Sequence, residues 1–545
     1  MALSSRLSRV ASQPLWLLAG GLAVLGIALK LALLAMGSFP FHADEAVVGL
    51  MARHILQGRW PAFFYGQAYM GSLDASLVAL AFKLIGESVG AIRAVQILLY
   101  GGTILTTVWL AKRVSSNPAL PILAGTLMAV PTVNVTLYTT VSLGGYGEAL
   151  LIGNLLLLLA LEASRAPQRT VVFAVWAGLA GLGFWAFGLT LVYSVPSGIL
   201  IIRTLSRLRR SEALGRAALI FVCGLAGAWP WIWSVGARGA ATFVNELMGS
   251  AIVGSSPAGL FPYLAAHGLN LLLFGSTVIF GLRPPWEIRW LAWPLLPVAV
   301  LFWLAAMGLA AGVLWRERPL NSTRWLLTGV AVCVVLGFWL TPFGADPSGR
   351  YFLPLAIPLA IGGAELVLWL ARHASVGLAV VGLAGVVGFN LWGTVESAVR
   401  NPPGITTQFG PETQLNAKDV HALIPALEGL REQRGYTNYW VAYPLAFLSG
   451  EQLVFVPQLP YHRDLRYTPR DDRYAPYNGM VESSGRVAYI TSLQPELDRA
   501  IRAGLAGIGV SWKETTVGTL RIFYQLSDRV APAQLELQAV NYPPG

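Results

Sequence analysis

Charged residues are scarce in this chain of 545 residues. Asp, Glu, Lys and Arg make up 12% of it, whereas a soluble globular domain contains about 25%. Hydrophobic residues make up 55%. They gather in repeated runs of about 16–25 residues, the length that crosses a bilayer as a helix. This composition excludes an ordinary soluble enzyme and predicts a polytopic α-helical membrane protein.

Cysteine is almost absent, because only Cys223 and Cys333 occur and both lie inside apolar runs. These positions offer neither a disulfide to the polar segments nor the spacing of a metal site. The chain also lacks a Gly-Lys-Ser/Thr phosphate loop and a His-Glu-x-x-His pattern. Its net charge of +11 is what Lys and Arg retained on the cytoplasmic side would produce, so the charge does not indicate nucleic-acid binding.

The first apolar run, 14–36, is too long for the core of a signal peptide, and no small-residue cleavage site follows it. We therefore expect it to be kept as the first membrane helix. The basic clusters, which begin with Arg6 and Arg9, then orient the remaining helices. The positive-inside rule places these Lys/Arg clusters in the cytoplasm. This gives about eleven membrane crossings, with the N-terminus in the cytoplasm and the C-terminus outside the cell membrane. The crossings are expected near 14–36, 93–111, 119–138, 148–163, 170–186, 188–202, 217–236, 290–314, 325–343, 351–371 and 374–396.

Two shorter apolar stretches, 73–85 and 268–282, do not fit as crossings and are expected on the outer surface. The outer loops are then 37–92, 139–147, 237–289 and 341–350. Gly178, Gly181 and Gly183 form a small-residue run that indicates close helix packing rather than nucleotide binding.

We expect two domains: a membrane domain over 1–396, with a first outer loop at 37–92, and an extracytoplasmic α/β domain over 397–545. The sequence Asn401-Pro402-Pro403-Gly404 marks the boundary between them. Within the second domain, helices are expected at 417–433 and 495–506, and a surface loop at 461–478. Aromatic and β-branched content predicts strands at 439–447, 452–456, 486–490 and 519–524.

The adjacent carboxylates of Asp44 and Glu45 follow the first helix and open an amphipathic stretch at 45–57. An acid pair at a membrane surface has little reason to be there for stability, which favours a chemical role. The alternative is that Asp44 caps the helix and Glu45 is a first-turn acid that suits the helix dipole. The two interpretations are compatible, because a cap also fixes the position of an acid.

Further polar residues gather on the expected outer face. Tyr65, Gln67, Tyr69 and Asp74 combine flat aromatic surfaces with an amide and a carboxylate, a mixture that suits a sugar ring. The alternative for this segment is an interfacial aromatic belt.

Glu148 is the first residue of the helix expected at 148–163. It is either a functional ionisable group at the membrane or an acid in the first helical turn that is exposed to water. Arg350 and Tyr351 join two apolar helices. A guanidinium there could bind a phosphate through two hydrogen bonds, or it could snorkel to the interface beside a belt tyrosine.

These residues resemble membrane glycosyltransferases of the GT-C fold. The similarity lies in the Asp-Glu pair after the first helix, the Tyr/Gly-rich strip that follows, and an Arg-Tyr-x-x-Pro segment that ends at Pro354. It covers roughly residues 14–396 and is nearest to family 39, the protein O-mannosyltransferases and aminoarabinose transferases. The chain departs from the aminoarabinose transferases at 66–71, where it lacks their Glu-Lys-Pro-Pro strip. That difference leaves open the acceptor and whether a divalent metal takes part.

The resemblance implies an inverting transfer of a sugar from a polyprenyl-phosphate donor on the outer face of the cytoplasmic membrane. The acceptor would be a glycan, a lipid or a protein. Asp44 matches the general base of the family, Glu45 its neighbour, and Glu148 a second loop acid, while Arg350 and Tyr351 match residues expected near the lipid phosphate. The resemblance implies no soluble nucleotide cofactor and no nucleic-acid partner. The alternative function is a lipid or sugar flippase, which predicts polar residues at the bilayer midplane and repeated halves.

Overall fold

The computed structural model describes residues 14–241, 244, 259–317, 321–346, 348–400, 404–410, 413–462, 464–465, 467–492 and 494–535. Arg6, Arg9 and most of the expected domain boundary at 401–404 lie outside the described residues. The chain divides into two compact units. Unit 1 contains Met1–Gly37, Tyr69–Asp74 and Arg93–Asn401, and unit 2 contains Ser38–Ala68, Ala75–Ile92 and Pro402–Gly545.

Long apolar helices make this a multi-pass membrane protein. In the described part of the chain, nine helices are long and apolar enough to cross a bilayer. They are Leu15–Ala35, Val89–Val114, Tyr146–Arg165, Gly188–Leu205, Leu260–Ile279, Trp293–Arg316, Ser322–Leu340, Arg350–His373 and Val376–Arg400. A tenth span arises if Arg210–Gly227 and Trp229–Arg238, which meet at 65°, are counted as one broken crossing.

The remaining helices explain why this count differs from the expected eleven crossings. The segment expected as one crossing at 119–138 is divided into Ala119–Ala129 and Val133–Tyr138. The division falls at Pro131, because proline lacks an N–H and disfavours helix in the residue before it. Thr170–Ala186 has 17 residues and Leu73–Ile85 has 13, so both are short for a crossing.

The expectation of a short interfacial element at 268–282 is wrong in length. The structure has one 20-residue helical segment, Leu260–Ile279, with a π-helical stretch over Asn270–Gly275. Its outward-facing residues are exposed in the isolated chain, among them Leu260, Phe261, Leu272 and Leu273. This segment is the least hydrophobic of the nine spans, which accounts for the missed crossing.

Glycines allow two helices of unit 1 to pack closely. A Cβ atom on Gly181 would lie 2.1 Å from the carbonyl oxygen of Gly224, and a Cβ on Gly227 would lie 2.1 Å from that of Gly178. Both contacts are far inside van der Waals distance, so only glycine fits without a shift of the backbone. The expected packing role of the small-residue run is confirmed for the helix pair Thr170–Ala186 and Arg210–Gly227.

Unit 2 is built around a five-stranded sheet. The strands of the chain are β1 (Phe63–Phe64), β2 (Gln67–Gly71), β3 (Arg434–Tyr436), β4 (Val454–Val456), β5 (Ala488–Ser492), β6 (Lys513–Val517) and β7 (Leu520–Tyr524). The sheet has the order β4-β3-β5-β7-β6, with β3 parallel to both neighbours and β7 antiparallel to both of its own. β1 and β2 form a separate hairpin.

Helices cover this sheet and supply its core. They are Ala417–Leu430, Tyr439–Leu448, Pro476–Glu482 and Pro495–Gly507, and Ala43–Leu56 packs against Tyr439–Leu448. Leu423 and Leu427 pack with Leu445, Phe455 and Ile490 in one buried cluster. The expected C-terminal α/β domain is confirmed, together with its helices near 417–433 and 495–506 and its strands near 452–456, 486–490 and 519–524.

The strand expected at 439–447 is wrong, because this segment forms the helix Tyr439–Leu448. Asn438 caps it: its side-chain oxygen accepts hydrogen bonds from the N–H groups of Trp440 and Val441. The cap, together with burial of eight of the ten helical residues, outweighs the β propensity of the aromatic side chains.

The segment 461–478 is not simply a surface loop. It contains the buried side chains of Asp471 and Tyr477 and the start of the helix Pro476–Glu482. The helix Ala43–Leu56 is buried more completely than the amphipathic stretch expected at 45–57 would be. Every residue from Ala43 to Ala52 is buried except Asp44.

Candidate functional site

Asp44 lies in the first turn of the helix Ala43–Leu56, and its carboxylate is held by a phenol. The residue before the helix is His42, with extended backbone, and no side chain caps the helix, so the alternative interpretation of Asp44 as the cap is wrong. Instead, the hydroxyl of Tyr439 donates a hydrogen bond to Oδ1 of Asp44 at 2.5 Å. A hydrogen bond to a carboxylate at this distance is strong and fixes its orientation.

Three residues near Asp44 were not identified from the sequence: Tyr439, Asp471 and Arg473. Burial raises the pKa of the Tyr439 hydroxyl, and the negative charge of Asp44 raises it further, so the phenol keeps its proton. Burial also raises the pKa of Asp471, to about 7. The charge of Asp44 acts in the same direction and that of Arg473 against it. The available signals were the charged run at 470–473 and the Asn438 cap, but neither indicates a connection to residue 44.

Glu45 and Tyr65 belong to other parts of unit 2. The carboxylate of Glu45 is fully buried and lies 3.8 Å from Nε2 of His42. The Tyr65 hydroxyl lies 2.7 Å from Nδ1 of His54, whose Nε2 lies 2.9 Å from the carboxylate of Glu451. The Tyr65 ring also stacks on that of Tyr474, so its visible role is in a histidine–glutamate network.

Asp74 and Glu148, by contrast, lie together in unit 1, where the side chain of Gln96 bridges them. Its amide donates to Asp74 at 2.9 Å and to Glu148 at 3.4 Å. Asp74 also accepts hydrogen bonds from the Ser142 hydroxyl at 2.5 Å and the Gly144 N–H at 3.0 Å. Burial raises the pKa of Asp74 against these hydrogen bonds. The second carboxylate oxygen of Glu148 is buried and has no hydrogen-bond partner in the described part of the chain.

Arg350 lies at the start of a membrane helix of unit 1, among tyrosines. Its guanidinium lies 2.5 Å from the carboxylate of Asp346 and 5.0 Å from the centre of the Tyr351 ring. Tyr138 and Tyr146 lie within electrostatic range of it. The side chain remains 30% exposed, and its Nε has no hydrogen-bond partner within the described ranges. One guanidinium surrounded by phenol groups is an arrangement that can bind an anion.

The turn before Arg350 is fixed from within the same unit. Gly349 has φ +79°, a conformation that favours glycine, and its carbonyl oxygen accepts a hydrogen bond from the Asn134 amide at 3.3 Å. Tyr69 lies within electrostatic range of both Tyr146 and Tyr351. The structure therefore brings Tyr69, Arg350 and Tyr351 together, while Gln67 lies half-buried in β2.

An apolar cavity of about 330 Å³ runs beside the helix that follows Arg350. Its walls include Leu355, Leu359 and Ile361 on this helix, and the Arg324–Glu365 ion pair contributes polar atoms. Ten residues separate Leu355 from Glu365, so the cavity follows about 15 Å of helix axis at 1.5 Å per residue. A long hydrocarbon chain is the kind of ligand that such a space would hold.

A metal-binding set is not apparent in this arrangement. In the described residues, no three or more His, Cys, Asp and Glu side chains are grouped so that they could hold a cation. The lone pairs of Asp74 are already engaged by a hydroxyl, a backbone N–H and an amide. We therefore derive no step through a metal ion from the described residues.

The chain is similar to known proteins in structure but not detectably in sequence. Neither a family model nor a curated protein sequence matches the chain. Among solved structures, ArnT from Cupriavidus metallidurans bound to undecaprenyl phosphate superposes with a TM-score of 0.57 and 12% identity, over 92% of this chain and 97% of that chain. The apo form of the same protein gives a TM-score of 0.54 and 12% identity, over 96% and 99% of the two chains.

The oligosaccharyltransferase of Archaeoglobus fulgidus, in complex with Zn and sulfate, gives a TM-score of 0.51 and 11% identity, over 95% of this chain and 76% of that chain. The chain has a GT-C fold. This confirms the resemblance stated from the sequence, including the combination of a polytopic membrane region with a C-terminal α/β domain. At identities this low, the similarity establishes the fold of this GT-C protein and not its reaction.

Proposed function

We propose that this GT-C protein is a glycosyltransferase that moves a sugar from a polyprenyl-phosphate donor to an acceptor on the outer face of the cytoplasmic membrane. The observation that carries the proposal is the environment of Asp44. It is the one partly exposed residue between Ala43 and Ala52, and a buried phenol holds its carboxylate. A fixed and accessible carboxylate is what a general base requires.

The reaction needs a proton acceptor and a group that stabilises the leaving phosphate. The bond between the anomeric carbon and the phosphate oxygen breaks, a bond from the acceptor oxygen or nitrogen forms, and the acceptor proton passes to Asp44. The lipid leaves as polyprenyl phosphate. A single displacement of this kind inverts the anomeric configuration. Positioned base catalysis contributes about 10²–10⁴-fold in rate.

Arg350 is the residue that we assign to the donor phosphate. Its side chain is 30% exposed, which leaves the guanidinium able to donate to an anion in addition to Asp346. Tyr351 and Tyr69 are assigned to the same group, and fixed cationic and phenolic donors stabilise charge that develops on a leaving group. That ArnT is observed with undecaprenyl phosphate supports this donor class.

The apolar cavity beside the helix Arg350–His373 is assigned to the lipid tail. It begins at Leu355, five residues beyond Arg350, so a phosphate held at Arg350 would lie near the entrance. The other acids receive supporting roles in the proposal. Glu45 stabilises the first turn beside Asp44, while Asp74 and Glu148, joined by Gln96, hold the loop at 142–144. Tyr65 and Gln67 are assigned to the sugar.

The proposal is tested by transfer of labelled sugar from undecaprenyl-phosphate monosaccharides, in membranes that supply the acceptor and contain the full chain. Asp44→Asn keeps the shape and still accepts the hydrogen bond from Tyr439, so we expect a loss of transfer of 100-fold or more from removal of the base. Arg350→Gln should lower kcat/KM for the donor, because it removes both a phosphate contact and the charge that stabilises the leaving group. Asp419→Asn is the matched control, because Asp419 is a carboxylate of unit 2 that, among the described residues, accepts hydrogen bonds from Thr519 alone.

Undiminished transfer by Asp44→Asn would exclude Asp44 as the base. Movement of the intact donor across proteoliposomes, without any covalent product, would instead favour a flippase.

A further inference from the structure

Lys30 is a buried residue of the first membrane helix that the proposed reaction leaves without a role. Its side chain is only 2% exposed. Its hydrogen-bond partners in the described part of the chain are a carbonyl and two hydroxyls rather than a carboxylate. An ionisable group is costly at this depth, so its presence indicates a use. We propose that Lys30 is a positioning residue for the donor phosphate, because it anchors the segment that holds the turn before Arg350. This inference rests on the proposed function.

The amine nitrogen of Lys30 donates three hydrogen bonds to one short segment. They go to the carbonyl oxygen of Thr136 at 3.2 Å and to the hydroxyls of Thr139 and Thr140 at 2.7 and 2.9 Å. Both hydroxyls donate their own protons to carbonyl oxygens, those of Val135 and Thr136, so they act as acceptors toward the lysine. Three acceptors require three N–H donors, and a lysine ammonium supplies them on one nitrogen.

The anchored segment contains a short helix that is separated from the membrane helix before it. Ala119–Ala129 ends ahead of Pro131, and Val133–Tyr138 has only six residues. A helix of this length is not stable without tertiary contacts. The partners of Lys30 lie in the last turn of the short helix and just beyond it, where carbonyl groups lack helical partners and a cation is favourable. Lys30 therefore fixes this end of the short helix to the first membrane helix.

The short helix contacts the candidate phosphate site in two ways. The Asn134 amide donates to the carbonyl oxygen of Gly349 at 3.3 Å, and so holds the turn that precedes Arg350. The ring of Tyr138 lies 5.6 Å from that of Tyr146, and both phenols are within electrostatic range of the Arg350 guanidinium. The helix thus connects the buried ammonium to the groups around the proposed phosphate position.

Tyr100 holds Lys30 from a second side. The ammonium lies 4.5 Å from the centre of the Tyr100 ring, and a cation over an aromatic face is stabilised electrostatically. The Tyr100 hydroxyl is itself fixed, because it donates to the carbonyl oxygen of Met128 at 2.6 Å. Lys30 can therefore hold the short helix in place rather than follow its movement.

Lys30→Met in the full chain tests the inference, because methionine is similar in size but donates no hydrogen bond. The measurement is the rise in apparent Tm of the purified protein as undecaprenyl phosphate is added, compared with the rise produced by undecaprenol. The difference between the two lipids reports the phosphate contacts. A general loss of stability would lower the Tm without lipid and leave this difference unchanged.

Asn154→Leu is the matched control. Asn154 is a buried residue of unit 1 whose amide also donates to one carbonyl and two hydroxyls. They belong to Thr103, Thr106 and Thr107, at 3.4, 3.0 and 3.1 Å. These partners lie on the membrane helix Val89–Val114 and not on the anchored segment, so the variant removes a similar buried network elsewhere in the same unit.

We expect Lys30→Met to lower the apparent affinity for undecaprenyl phosphate about tenfold, because the phosphate-binding groups lose their fixed positions. The response to undecaprenol should stay as in wild type. Asn154→Leu should lower the Tm of the lipid-free protein and keep the phosphate-specific rise. Lys30→Gln retains two N–H donors, so it should lose less affinity than Lys30→Met, and it takes the place of that variant if methionine prevents folding.

A phosphate-specific rise that matches wild type in the folded Lys30 variant, or an equal loss in Asn154→Leu, would overturn the inference. So would a wild-type chain that responds identically to the two lipids. A wild-type chain that binds undecaprenyl phosphate but transfers no sugar would refute the proposed function alone, and the comparison of variants would still decide whether Lys30 positions the phosphate site.

Discussion

His54 and Glu451 lie at the centre of a hydrogen-bonded network of ionisable residues in unit 2. Glu451 accepts from His54 at 2.9 Å, from the Tyr477 hydroxyl at 2.8 Å and from Arg53 at 3.2 Å. Its backbone has φ +64°, a conformation rarely adopted by residues other than glycine, so the network is formed despite local strain. Arg53 also pairs with Glu87. The network lies within unit 2 and fixes the helix Ala43–Leu56 that carries Asp44.

This network predicts loss of stability in acid. Burial would raise the pKa of Glu451, but hydrogen bonds from His54, Tyr477 and Arg53 together lower it to about 2, against an ordinary value of 4.5. A lowered pKa gives stability above pH 4.5 that is lost as the pH falls toward 2, and the shift corresponds to roughly 3 kcal/mol.

The measurement is the apparent Tm of the purified protein between pH 5.5 and 3. It should fall for wild type and change much less for Glu451→Gln. Glu482→Gln, which alters an exposed glutamate of unit 2, should follow wild type. Parallel curves for wild type and Glu451→Gln would contradict the assignment.

Some residues of the candidate site could be identified from the sequence, whereas the contacts between them could not. Asp44 and Arg350 could be identified as candidate functional residues from their positions. Each is a charged group beside an apolar helix, where a charge is energetically costly and often functional. Tyr439 could not be linked to Asp44, since the two are 395 positions apart and no periodicity connects them. Asp74 and Glu148 were each singled out, but their connection through Gln96 depends on a side-chain contact that sequence does not show.

At the scale of elements, apolar length was the most reliable signal. It predicted most of the membrane helices to within a few residues, because a helix that spans a bilayer must be long and apolar. It was least reliable where proline interrupts an apolar run, as at Pro131, and where aromatic content suggests a strand, as at 439–447. In the second case the capping residue Asn438 was the better indicator.

The glycine contact between two helices of unit 1 predicts a position-specific loss of stability. Gly181→Ala would place a methyl group 2.1 Å from the Gly224 carbonyl oxygen, so the helices must separate, at a cost of about 1–3 kcal/mol. Gly178→Ala is the matched control on the same helix, because its Cβ would come no closer than 3.9 Å to the Cys223 carbonyl oxygen. The comparison is the apparent Tm in one detergent. Equal losses for both variants would show that helix propensity, and not the contact, is responsible.

At the scale of the whole molecule, the orientation in the membrane stays a prediction from charge. The positive-inside rule places the loop near Ser206 in the cytoplasm and the C-terminal residues outside. Replacement of Cys223 and Cys333 by serine leaves a chain without cysteine, to which Ser206→Cys or Ser483→Cys is then added at an exposed position. A membrane-impermeant maleimide should label Ser483→Cys in intact cells, and Ser206→Cys only after lysis. The reverse pattern would invert the topology.

Amino-acid composition could reveal only part of the domain organisation of the whole molecule. Apolar content separates residues 1–396 from the polar tail, and this division into two domains stays a prediction. Composition gives no sign that most of 38–92 clusters with the tail in unit 2. Such clustering depends on contacts such as that of Gly49 with the Phe447 ring, where a Cβ would lie 2.6 Å from a ring carbon.

The hydrogen bond between Asp44 and Tyr439 has a practical consequence for anyone who shortens the protein. Cleavage or truncation near residue 400 would look like the harmless removal of an appendage, since all nine spans found in the described residues precede that point. It would nevertheless strip the acid of its only phenol donor in the described residues, and with it the helix against which Ala43–Leu56 packs. Assays on such a fragment would report on a different acid from the one in the full-length chain.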